Sequence, residues 1–140
     1  MNKKRFFALG ILFMLVVSLT ACTFEFTQSP SGAVTSWSTS GRITHNREAD
    51  SWLITVNRVN GHARRDIDFT AESLSALHVE STNSDGSVSL LITQGEVTRT
   101  IDLTGEFNQV LDISNDFQPG SVRLRLEFEN AETVRVSLSW

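Results

Sequence analysis

Asp66 and Asp68 stand two residues apart in HARRDIDFT, a spacing that puts both carboxylates on the same side of an extended strand. Their separation, roughly 7 Å along a strand, falls in the window of a glycoside-hydrolysing carboxylate pair. Acid catalysis by such a pair needs one carboxyl buried enough to stay protonated. The neighbours here, Arg64 among them, describe instead a solvated face on which an arginine balances two acids. His45, His62 and His78 are dispersed, and no HExxH, cysteine cluster or His-x-His spacing supplies transition-metal ligands. A calcium loop opening at Ser81, Asn83 and Asp85-Gly86 would need a bidentate acid at its twelfth position, where Ile92 stands. A hairpin loop accounts for those residues without an ion. There is no Gly-x-Ser-x-Gly elbow and no glycine-rich phosphate loop, so neither a catalytic set nor a cofactor is expected.

Three further residues break the local pattern. Arg65 and Arg99 fall on faces otherwise apolar, a few residues past turn glycines. Either their stems pack over a sheet edge with the guanidinium in water or against an acid, or both approach one end of the fold and bind an acidic group. Trp37, in AVTSWSTSG, lies where neither face is clearly apolar. It is a core residue of the first strand or an exposed ring on which a pyranose could stack. The absence of tyrosine argues against a large sugar- or protein-binding platform.

The single cysteine, Cys22, follows a basic head (Lys3, Lys4, Arg5) and an uncharged run from Phe6 to Val17. Twelve helical residues rise about 18 Å, short of the roughly 30 Å hydrocarbon core, which is the design of a secretory signal rather than a membrane span. Leu19-Thr20-Ala21-Cys22 resembles the lipobox of bacterial lipoproteins: an aliphatic residue, two small ones, then cysteine. The resemblance implies diacylglyceryl attachment at Cys22, cleavage before it, and retention at a bacterial membrane outside the cytoplasm. Residues 1–21 would then be the signal peptide and 22–33 a lipidated tether, with Phe24 and Phe26 on the membrane surface or in a docked N-terminal strand. The remaining 119 residues hold nine arginines against sixteen carboxylates, net −7, and no lysine. That balance excludes nucleic acid as the expected partner.

From Val34 onward the hydrophobic pattern has period two, and the one helical candidate is a turn within residues 70–77. Asn60-Gly61 predicts a type I′ hairpin that sets Ile54 opposite Ile67 and Trp52 opposite Phe69. Trp52, Ile54, Val56, Ile67 and Phe69 then share the core face. A turn at Gln94-Gly95 pairs Ile92 with Val97 and Leu90 with Arg99, and a loop at residues 83–86 places Leu77 opposite Ile92. At the C-terminus VRLRLEF and TVRVSLSW alternate strictly and pair across Asn130-Ala131-Glu132. Eight or so short strands cannot cover every apolar face in one open sheet. Residues 34–140 therefore predict an all-β, antiparallel β-sandwich, jelly-roll-like because the Cys…Trp…Cys spacing of immunoglobulin domains is absent. The Pro119-Gly120 turn followed by alternating strands ending on Trp140 resembles the close of carbohydrate-binding jelly rolls.

The expected function is a membrane-anchored, non-catalytic binding module for an envelope glycan or envelope protein. The alternatives are an assembly accessory docked on an envelope complex and, more remotely, a glycoside hydrolase using Asp66 and Asp68.

Overall fold

The computed structural model describes residues 34–140, so Cys22 and the tether lie outside the described residues. The strands are β1 (Val34–Arg47), β2 (Ser51–Phe69), β3 (Leu77–Thr82), β4 (Asp85–Gln94), β5 (Val97–Asp102), β6 (Glu106–Leu111) and β7 (Gly120–Ser139). One helical turn, α1 (Ala71–Leu74), follows β2. It forms because Thr70 and Ser73 cap it reciprocally, each side chain reaching the other's backbone N–H, while Leu74 is buried.

Every pairing is antiparallel. The ladder between β2 and β7 runs their whole length, from Ser51 opposite Ser139 to Phe69 opposite Gly120. A bulge interrupts it between Val59 and Gly61. Beyond that bulge the partners change. The C-terminal half of β7 carries β3 and then β6, while its N-terminal half carries β4 and then β5. β1 follows β2 through the same corner, with its own irregularity between Ser40 and Ile43. Three long strands thus contribute to two layers, and the sheet folds over on itself into an antiparallel β-sandwich of jelly-roll-like type. The core between the layers includes Trp52, Ile54, Leu90, Ile92, Leu124, Leu126, Val136 and Leu138, all fully buried.

The predicted core faces are the observed ones: Trp52, Ile54, Val56, Ile67 and Phe69 are buried together, as are Val122 to Phe128 and Val134 to Leu138 at alternate positions. The predicted partners differ. Asn60-Gly61 is not a hairpin but the bulge in a continuous β2, and Trp52 pairs with Leu138 rather than Phe69. Asn130-Ala131-Glu132 likewise does not reverse the chain; it is the bend of β7. Glycine at φ +124° and Asn130 at φ +48° serve a kinked ladder as readily as a tight turn. The Gln94 hairpin forms with Gly95-Glu96 at its tip, pairing Ile92 with Arg99, two residues from the predicted register but on the same faces. β3 pairs with β6 and β7, not with β4.

Candidate functional site

The outer face of the layer built from β2, β7, β4 and β5 carries three registered polar rows. One runs Asp66, Arg123, Thr93, Thr98; the next Arg64, Arg125, Leu91, Thr100; the third His62, Glu127, Ser89, Asp102. Alternation forces this, because Ile67, Leu124, Leu126, Leu90 and Ile92 occupy the inward positions of the same strands.

Arg123 grips Asp66 with both arms of its guanidinium, Nε to Oδ1 at 2.7 Å and Nη2 to Oδ2 at 3.1 Å. Those hydrogen bonds hold the Asp66 carboxyl below the usual carboxylate range and push Arg123 up. A general acid needs the opposite shift. Asp68 sits on the same face, exposed, opposite Ser121.

Arg64 and Arg125 stand directly across the ladder from one another. Like charges in that relationship are destabilising. Arg125 has a carboxylate partner, Nη2 lying 2.9 Å from Glu127 Oε1. Arg64 has no ion-pair partner among the described residues. Both Nε–H groups are buried without an acceptor. Beside them His62 is shifted down, by burial first, then by Arg125 and Arg64, whose effect Glu127 opposes. His62, Arg125, Glu127, Ser87, Ser89 and Glu129 line a depression of 310 Å³ here.

A second depression, of 340 Å³, lies at the bend between the layers. Ser38, Ser40, Arg58, Asn60, Asn130 and Glu132 give it its polar lining, over Val59 and Ala131. Arg58 Nε contacts Glu132 Oε1 at 3.0 Å. The Asn130 backbone N–H donates to Asn60 Oδ1 at 3.2 Å, and both Asn130 and Thr133 hold left-handed backbone angles, φ +48° and +50°. For a β-branched threonine that conformation is strained.

The other residues singled out in the sequence lie elsewhere. Arg65 and Arg99 share one inward-facing row, Arg65, Leu124, Ile92, Arg99, and cap its two ends. Arg65 donates to the carbonyls of Ser51 and Glu48 and covers the Trp140 ring at 5.2 Å. Arg99 meets Asp116 Oδ2 at 3.0 Å and the Asp112 carbonyl. Both guanidiniums therefore seal edges of the sandwich. Trp37 is half-buried against the core, its ring tilted against Phe128 and edge-on to His45. Asn83 does within the β3–β4 loop what an ion would do in a calcium loop. Its amide nitrogen donates to the carbonyls of Asp85 and Gly86, and its oxygen accepts from Gly105 N–H. No metal-binding cluster of His, Cys, Asp or Glu occurs among the described residues.

Arg58, Arg64, Arg123, Arg125 and Glu132 are functional candidates that sequence reasoning passed over. For Arg123 and Arg125 the signal was the outward positions of VRLRLEF, but the predicted hairpins set the halves of β2 against each other and so removed β7 from beside it.

No family model matches this chain, and no curated protein does. Among solved structures it is similar to TmCBM61 in complex with beta-1,4-galactotriose, with TM-score 0.39 and 10% identity over 74% of this chain and 83% of that one.

Proposed function

We propose that this protein is a lipid-anchored, extracytoplasmic binding module that holds an envelope glycan against the outer face of the β2–β7–β4–β5 layer. The lipobox at Leu19–Cys22 supports the anchor. The Arg64–Arg125 pair carries the binding reading: two arginines set opposite one another across the ladder at a cost in stability, Arg64 without an ion-pair partner among the described residues. Around them acceptors and donors alternate, carboxylates and arginines with Ser89, Thr93, Thr98 and Thr100. A sugar hydroxyl both donates and accepts, so a polyhydroxylated chain satisfies such a mosaic, whereas an apolar or uniformly charged ligand does not. Leu91, half-buried in the middle row, offers a small apolar floor for C–H groups.

Full-length protein in detergent, passed over immobilised cell-wall polysaccharide, tests the reading. Wild-type protein is retained and the Arg64→Ala, Arg125→Ala double variant is not. Equal retention of both, or of neither, refutes it. For the anchor, wild-type protein incorporates labelled fatty acid in cells and Cys22→Ser does not.

A second reading is favoured by β6, which ends the strand order among the described residues and exposes Val110 at 65%. A protein partner could add a strand to that edge. In-cell cross-linking from Val110→Cys would then yield one dominant adduct.

A further inference from the structure

The two polar depressions share a wall. Asn60 and Asn130 line the one at the bend, and Gly61 and Glu129, their immediate chain neighbours, line the one on the sheet face. The peptide units Asn60–Gly61 and Glu129–Asn130 run from one depression to the other. At 340 and 310 Å³ each is near the small end of ligand pockets, about 300–1,000 Å³, and takes one small group rather than a whole oligomer. Each also holds the same device, an exposed arginine–carboxylate pair that presents a donor beside an acceptor: Arg58 with Glu132 at the bend, Arg125 with Glu127 on the face. Both carboxylates belong to β7, five residues apart.

Resting on the glycan reading above, we infer that the ligand is an extended glycan chain lying along the β2–β7 ladder and over the bend, with one sugar group at each arginine–carboxylate pair. The wall is closely packed where the chain crosses it. Gly86 packs against Asn130 so tightly that a Cβ there would fall 2.3 Å from the Asn130 oxygen, and the left-handed backbone of Asn130 is locked by the Asn60 side chain. Backbone held in one conformation by its surroundings suits a preformed ligand surface. Two weak contacts joined by one chain act as a linked pair, so affinity grows with chain length until both are filled and then levels off.

The experiment titrates the full-length protein in detergent with cell-wall glycan strands fractionated by length. For wild-type protein, affinity rises at least about tenfold from the shortest fraction to those long enough to span both depressions. Arg58→Ala and Arg125→Ala each abolish that rise, while the shortest fragments retain measurable binding to whichever side is intact. Arg58→Lys, which keeps the charge but not the fork, recovers part of the rise. Unchanged circular dichroism and thermal midpoints no lower than that of wild type certify that the variants are folded, the midpoint of Arg125→Ala rising as the like charge opposite Arg64 is removed. Affinity independent of length, or sensitive to one arginine alone at every length, overturns this inference and leaves the glycan reading standing. No binding of any fraction overturns both.

Discussion

Arg65 Nη1 lies 2.7 Å from the carbonyl oxygen of Ser51, although both residues belong to β2 and fourteen residues separate them. On a straight strand that interval spans about 46 Å. The contact exists because β2 and β7 bend together at Val59–Gly61, and it ties one layer of the sandwich to the other. Trp140, on which the guanidinium rests, and Phe69, 5.9 Å from Trp140, complete the seam. Arg65→Ala should lower unfolding stability in urea by about 2 kcal/mol, the worth of its charged hydrogen bonds to the Ser51 and Glu48 carbonyls. Arg65→Lys should recover less than half, since one ammonium cannot serve both Ser51 and Glu48 in the same plane.

Side-chain alternation was legible from the sequence, and strand partnership was not. Burial of Trp52, Ile54 and Val56 depends only on parity within a strand, so it survives a wrong choice of partner. The shift of two residues at the β4–β5 hairpin preserved parity for the same reason. Asn60-Gly61 specifies a positive φ, which a type I′ turn and a bulge both use; distant residues of β7 decide between them. The arginine pair was hidden by that choice, because Arg64 and Arg125 are 61 positions apart and meet only across the β2–β7 ladder. Arg65 and Arg99 were visible as charges on apolar faces, and each does cap an edge.

His45 should make stability fall in mild acid. Its Nε2 accepts a hydrogen bond from Trp52 Nε1–H at 2.8 Å, which requires a neutral ring. Burial first, then Arg47 and Arg65, lower its pKa from 6.5 to about 4. The unfolded chain therefore binds the proton more readily than the folded one. Stability is full above pH 6.5, declines as pH falls below that value, and levels off for this group below about pH 4. Allowing for solvent screening of a partly exposed ring, the loss is about 1–2 kcal/mol. His62 is also shifted down and adds in the same direction. Urea midpoints measured between pH 7 and pH 4.5 should fall for wild type and fall less for His45→Gln, whose amide oxygen still accepts from Trp52. Equal slopes would show that His45 does not carry the effect.

Ser81 is fully buried on the inner face of β3, opposite Phe107 and Val136, and its hydroxyl has no partner. An orphaned buried hydroxyl carries its full desolvation penalty, whereas a methyl group in its place carries none. Ser81→Ala should therefore raise stability by about 1 kcal/mol, seen as a higher denaturant midpoint with an unchanged slope. Ser81→Asn, larger and more polar in a close-packed site, should lower it by more than that.

Gly86 and Gly95 both hold positive φ, +72° and +59°, yet their surroundings differ completely. At Gly95, the tip of the β4–β5 hairpin, an added Cβ meets nothing within 4 Å. At Gly86 it would fall 2.3 Å from the Asn130 oxygen and 2.5 Å from the Glu129 oxygen, both backbone atoms that cannot swing aside. Gly95→Ala should thus show only the backbone penalty of a left-handed residue, about 1 kcal/mol. Gly86→Ala must also push β4 off the bend of β7, and should cost about 3 kcal/mol or more while opening the wall between the two depressions. If the glycan lies over that wall, a Gly86→Ala protein still folded at low temperature loses the long-chain affinity gain, and Gly95→Ala keeps it. Thermal midpoints and length-resolved titrations on the two variants measure both halves of the comparison.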